Sequence, residues 1–167
     1  MTRDDVNSLS KAAFVETFGS IYEHSPWVAD AVEPERPFAD FEALIAKMRA
    51  PVEASSKEQK LALLRAHPEL AGKAAIDGTL TQASQEEQAS AGLDRMLPDE
   101  FQALTEMNAA YNDRFGFPFI ICVRRATKAG ILSAMETRLN NTIEQEFETA
   151  LGEVHKIAEL RLEGVVS

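Results

Sequence analysis

The sequence predicts an all-α protein, a single compact multi-helix domain of about eight helices over residues 1–167. Apolar residues recur at i, i+3 and i+4 along most of the chain. Capping residues precede these stretches, and Pro or Gly ends them. The one continuous apolar run with strand-like composition, residues 117–123, contains Pro118, which has no N–H to give a central strand. A hydrophobic fraction of 45% in 167 residues suits one soluble domain with a sizeable core.

Each helix has its own signals. Ser8 or Ser10 caps the first, which carries Ala13, Phe14, Phe18 and Ile21. Ser25 is the expected N-cap of the second, with Pro26 at its first position and Pro34 and Pro37 stopping it. Residues 38–49 form the third, with Phe41, Leu44, Ile45 and Met48 on one face and Pro51 closing it. Ser55 and Glu58 make an S-x-x-E capping box for the fourth, with Leu61 and Leu64 inward. It ends near His67, because Pro68 disfavours helical geometry in the residue before it. Ser84 and Glu87 repeat the S-x-x-E pattern ahead of a fifth helix reaching about Met96. Pro98 opens the sixth, which passes Phe101, Leu104, Met107 and Tyr111 and stops at Gly116. Residues 117–123 read as a buried extended segment. Thr127 caps a helix through Leu139, and Asn141 or Thr142 caps the last, to about Glu163.

Composition excludes several functions. A net charge of -10 and a pI near 4.8 argue against a nucleic-acid partner. No run approaches the ~20 apolar residues of a membrane span. Cys122 is the single cysteine, so neither an intramolecular disulfide nor a cysteine-pair metal site is expected. The three histidines lie far apart without HxxxH spacing, so no metal site is expected either. The first ten residues lack the apolar core of a signal peptide, and the last three are not a peroxisomal SKL. A soluble cytoplasmic protein is the expectation.

The stretch from His67 to Gln88 collects a histidine, a serine, glutamates and a glutamine on a broken segment between helices, the usual makings of a site. At the end of its helix, the His67 imidazole faces exposed carbonyls that favour a proton carrier; a half-buried cap of the last turn is the alternative. Glu87 fits a ligand clamp with Gln88 and equally the third position of a cap with Ser84. On the last helix, Ile143, Phe147, Ala150, Leu151, Val154, Ile157 and Ala158 form one stripe, and Arg161 falls in line with Ile143. A core-facing arginine needs an anionic or carbonyl partner, either a ligand or a core carboxylate. Cys122, inside the apolar run, reads as an inert buried thiol.

Six motifs occur in order: Glu23-His24-Ser25-Pro26-Trp27-Val28, His67-Pro68-Glu69-Leu70, Ser84-x-x-Glu87-Gln88 with Ala91-Gly92-Leu93, Asn108-x-x-Tyr111, Phe115-Gly116-Phe117-Pro118-Phe119 and Arg161-Leu162. Together they resemble the OHCU decarboxylases, which act on 2-oxo-4-hydroxy-4-carboxy-5-ureidoimidazoline in urate breakdown. The resemblance covers about residues 14–162. It implies an all-α fold, a homodimer, and cofactor-free conversion of that ureide to (S)-allantoin and CO₂. By position, His67 and Glu87 match the family's catalytic residues. Pro68, Ser84, Gln88 and the backbone of Phe119, Ile120, Ile121, Cys122 and Val123 match its substrate contacts, and Arg161 its site arginine. Phe117 and Phe119 are expected to wall the substrate ring.

Overall fold

The computed structural model describes all residues, Met1–Ser167, and contains ten α-helices, two short 3-10 turns and no strand. The all-α expectation holds. The two helices beyond the expected eight are short ones, α1 (Arg3–Ser8) and α6 (Lys73–Asp77). No helix is long and apolar enough to cross a membrane. The chain divides into two compact units, one of residues 1–66 with 155–167, the other of residues 67–154.

The first unit comprises α1, α2 (Lys11–Phe18), α3 (Trp27–Val32), α4 (Phe41–Ala54), α5 (Lys57–Ala66) and the end of α10 (Ile143–Val165). α3 packs on α2 and α4. Its core holds Phe14, Phe18, Phe38, Leu44, Met48 and Leu64, with the Phe14 and Phe18 rings 4.7 Å apart. The Tyr22 hydroxyl lies 2.8 Å from His155 Nδ1. Burial, reinforced by Arg49 and Lys60 and opposed by Glu53, brings the His155 imidazole down to about 4, so it is neutral and accepts from the tyrosine. Burial likewise pushes the Tyr22 phenol above its ordinary range.

Several boundaries differ from the sequence reading. Pro51 sits inside α4 and does not end it: one lost N–H near a helix end is tolerated when the last turn buries Val52. The capping box of α5 is Ser56 with Gln59, one residue on from the expected pair: Gln59 N–H donates to Ser56 Oγ at 3.2 Å, and Ser56 N–H to Gln59 Oε1 at 3.2 Å. Ser55 Oγ donates to Val52 O, serving α4 instead. Pro26 stands at the N-cap of α3 and the helix starts at Trp27, while Ser25 Oγ donates to Glu23 O. Ile143, expected at the head of the α10 stripe, is 55% exposed; the buried stripe starts at Glu146.

The second unit comprises α6, α7 (Gln82–Ser90), α8 (Pro98–Phe115), α9 (Lys128–Arg138) and the first part of α10. α8 begins with Pro98 at its first position and stops at Gly116, whose φ of 76° only glycine adopts cheaply. α9 is capped by Thr127 and α10 by Thr142, both as expected. Between α8 and α9, Phe117 to Cys122 run without regular structure into a 3-10 turn, Val123–Arg125. This segment is buried as expected. Tyr111 is its anchor, with the rings of Phe115, Phe117 and Phe119 at 4.5, 6.0 and 5.3 Å.

Candidate active site

The loop after α5 starts with His67, which is buried. Its backbone is held by side chains. Ala71 N–H donates to Gln88 Oε1 at 2.8 Å, and Gln88 Nε2 donates to Glu69 O at 3.4 Å. Asn108 Nδ2 donates to Leu70 O at 2.9 Å, and Asn112 Nδ2 to Glu69 Oε1 at 3.1 Å. Ala71 sits at φ 48°, a conformation costly for a residue with a Cβ and found where surroundings over-determine the backbone. Gly72 follows because space is short: a Cβ there would stand 2.7 Å from Glu69 Cβ.

α7 supplies the next group, and its start bears on the capping reading of Glu87. Thr81 is the N-cap, with Ser84 N–H donating to its Oγ1 at 3.2 Å. Ser84 and Glu87 are therefore not a capping box but lie one turn apart inside the helix, which ends at Ser90, short of the expected Met96. A Thr three residues before a Ser caps as well as the later Ser would, and the earlier signal wins. At 100° per residue, Ser84, Glu87, Gln88 and Ala91 share one face. Ser84 and Gln88 are buried and Glu87 is half-buried.

That helix packs against the 3-10 turn at Val123–Arg125. Burial pushes the Cys122 thiol up; Arg125 opposes this, and the carboxylates of Glu153 and Glu87 add to it. The Cys122 thiol is buried and stays protonated, and Glu87 is close enough for its charge to be felt there. Cys122 N–H donates to Glu153 Oε2 at 3.1 Å. One unit thus carries His67, Pro68, Ser84, Glu87, Gln88 and the segment from Phe117 to Val123. The Phe117 and Phe119 rings are both 1% exposed and committed to the Tyr111 cluster, so in this structure they form core beneath the segment.

Arg161 belongs to the first unit. Its Nη1 lies 2.7 Å from Glu23 Oε2, and donates to the carbonyls of Ser20 and Ile21 at 3.4 Å each. The partner demanded by a core-facing arginine is thus present within the fold. Glu23 and Asn108 lie in the quoted motifs without an expected role, and Arg138 lies outside them. The signal for Arg138 was there: with Ile131 and Met135 it forms an i, i+4, i+7 stripe on α9, and all three are buried.

A cavity of roughly 600 Å³ opens beside α7, lined chiefly by Ala75, Ile76, Leu80, Leu93, Met96 and Phe101. It shares Ala71 and Gln88 with the His67 loop, but His67, Ser84 and Glu87 do not line it.

The model of the family described as OHCU decarboxylase matches residues 7–163. The chain belongs to that family. Among its relatives is the 2-oxo-4-hydroxy-4-carboxy-5-ureidoimidazoline decarboxylase of Haloferax volcanii, 44% identical over 97% of this chain and 94% of the relative. The mouse enzyme of the same name is 42% identical over 94% of this chain and 88% of its own. A crystal structure of (S)-allantoin synthase superposes with a TM-score of 0.81 at 37% identity, covering 100% of this chain and 54% of that one. A crystal structure of OHCU decarboxylase in the presence of (S)-allantoin gives 0.70 at 28% identity, over 89% of this chain and 96% of that one. The OHCU decarboxylase motifs quoted above all fall within the matched span.

Proposed function

We propose that this chain converts 2-oxo-4-hydroxy-4-carboxy-5-ureidoimidazoline to (S)-allantoin and CO₂, with His67 as proton donor and Glu87 as the partner that holds the substrate. The chain is a carboxy-lyase of urate catabolism by its family. The observation that best supports the residue roles is the hydrogen bond from Ala71 N–H to Gln88 Oε1, which ties the His67 loop to the helix that carries Ser84 and Glu87.

Breaking the bond to the carboxylate leaves an electron pair beside a C=N or C=O, and the hydantoin ring takes it up as an enolate-like anion. The ring is its own electron sink, so neither pyridoxal, thiamine nor a metal is needed. The hydroxyl on the carbon that lost CO₂ passes its proton to the anionic ring nitrogen and becomes a carbonyl. His67 gives a proton to one face of the neighbouring, ureido-bearing carbon, which sets the S configuration, and is reprotonated from solvent. An imidazole is suited to proton transfer near neutral pH. The Glu87 carboxylate accepts from ureido or ring N–H groups, with Ser84 beside it. Gln88, both ends of whose amide serve the loop, acts on the substrate by fixing Ala71 and Glu69.

The family resemblance also gives Arg161 a substrate role. A tight grip on the departing carboxylate would stabilise the ground state, whereas a guanidinium on a ring carbonyl favours the transition state. The pairing with Glu23 supports the second assignment, because a neutralised guanidinium grips a second carboxylate less strongly. A homodimer in the cytoplasm completes the proposal; light scattering on a sizing column measures the first of these.

The deciding experiment follows (S)-allantoin by circular dichroism, with substrate made freshly from urate. Wild type should give rapid optically active product, and His67→Asn, checked for folding, should fall by about 10²-fold or more. Equal rates would remove His67 from the chemistry. Slow racemic product from wild type would remove the activity.

A further inference from the structure

We propose that Arg138, neutralised by Glu146, is a positioning residue that aims the Ile121 N–H at the substrate; this rests on the proposed function. Arg138 is 8% exposed and Glu146 is 0% exposed. Arg138 Nε donates to Glu146 Oε2 and Oε1 at 3.0 and 3.2 Å, and its Nη2 lies 2.9 Å from Oε2. The Tyr111 hydroxyl donates to the same carboxylate, and Asn141 Nδ2 does so at 2.9 Å. Burial alone would raise the Glu146 carboxyl; these hydrogen bonds outweigh it and hold the group below its ordinary range, hence charged.

What this buried network does beyond pairing charges falls on one place. Arg138 Nη1 donates to Ile120 O at 2.7 Å, and its guanidinium carbon lies 4.4 Å from the Phe119 ring centroid. A planar fork fixes a carboxylate, a carbonyl and an aromatic face at once, which an ammonium cannot. Stability alone does not call for such a pair, since apolar side chains of similar volume commonly replace buried ion pairs without loss. Its distinct product is geometry.

That geometry passes along a rigid plane. The Ile120 carbonyl and the Ile121 N–H share one planar peptide unit and point in opposite directions. Holding the carbonyl toward Arg138 turns the N–H away from it. No protein acceptor takes the Ile121 N–H, and Ile121 is the one half-buried residue in the otherwise buried run from Phe117 to Val123. The next N–H, of Cys122, is tied to Glu153 on α10. With no strand pairing to set the register of this segment, side chains of α9 and α10 set it. The result is one donor left open to a carbonyl of a flat heterocycle.

The test combines Arg138→Met, Glu146→Met and Tyr111→Phe, which removes the polar network at similar volume. The triple variant is expected to fold with native helical dichroism. Its Cys122 amide, hydrogen-bonded to Glu153 in the wild type, should exchange with deuterium at least tenfold faster, and its KM should rise at least tenfold. A purely structural role would lower the folded fraction and leave KM unchanged. A folded triple variant with wild-type KM and exchange overturns the proposal. If the triple variant does not fold, Arg138→Lys decides: a KM at least fivefold higher upholds the role, and a wild-type KM refutes it. An inactive wild type would count against the decarboxylase reading itself. The Cys122 exchange rate would still report whether Arg138 holds the segment.

Discussion

Arg161 and Glu23 form a buried ion pair, with 2.7 Å between Nη1 and Oε2 and side chains 7% and 2% exposed. Removing one partner strands the other charge, which costs about 3–5 kcal/mol. Glu23→Gln should therefore lower the melting temperature, and adding Arg161→Gln should restore part of the loss. Thermal melts of the two single variants and the double variant measure the coupling. In kinetics, Arg161→Gln should lower kcat; a rise in KM alone would mean that Arg161 contributes only uniform binding.

Thr81 and Ser84 separate a cap from a contact. Thr81→Ala removes the acceptor for the Ser84 N–H and should cost about 1 kcal/mol in urea unfolding, with KM unchanged. Ser84→Ala leaves the cap in place and should raise KM. The reverse pattern would restore Ser84 to the capping role that its S-x-x-E spacing suggests.

Gln88→Leu leaves the Ala71 N–H and the Glu69 carbonyl without their partner. The expected cost is about 1–3 kcal/mol, together with faster deuterium exchange at Ala71 and a lower kcat/KM. Gln88→Glu keeps the acceptor for Ala71 and should retain more of both. Unchanged exchange at Ala71 in the leucine variant would show that the loop is held by Asn108 and Asn112 alone.

His155 gives the first unit an acid limit. Its folded pKa of about 4 lies below the ordinary 6.5, so the unfolded chain takes up the proton first. The stability contributed by the neutral imidazole is complete above pH 6.5 and is lost as pH falls from there to about 4. Melting temperature should drop across that window in wild type. It should drop less in His155→Asn, whose amide oxygen still accepts from Tyr22 and does not titrate. Equal slopes would assign the acid limit to other groups.

Helix identity was legible in the sequence because periodicity reports burial directly. Pro98, Gly116, Thr127 and Thr142 marked ends correctly, since each acts within one turn. Pro51 and the Ser84–Glu87 pair misled because tertiary burial and a competing Thr81 outweighed the local signal. The family was legible as a resemblance in motifs, and the candidate site, with His67 and Glu87 in it, follows from that resemblance. What stayed hidden was the support. Glu23, Asn108 and Arg138 act on residues 138, 38 and 18 positions away, and no local pattern encodes such a pairing.

Tyr22 and Tyr111 are the only two tyrosines, and burial pushes both phenols above their ordinary range, with the Glu146 carboxylate adding to the effect at Tyr111. The folded protein consequently carries a dark optical switch. In an alkaline titration followed in the near ultraviolet, no phenolate band should grow through the usual tyrosine range near pH 10 while the chain stays folded. When the chain unfolds, both rings should ionise together, so ultraviolet absorbance at fixed alkaline pH becomes a label-free clock for the loss of both cores.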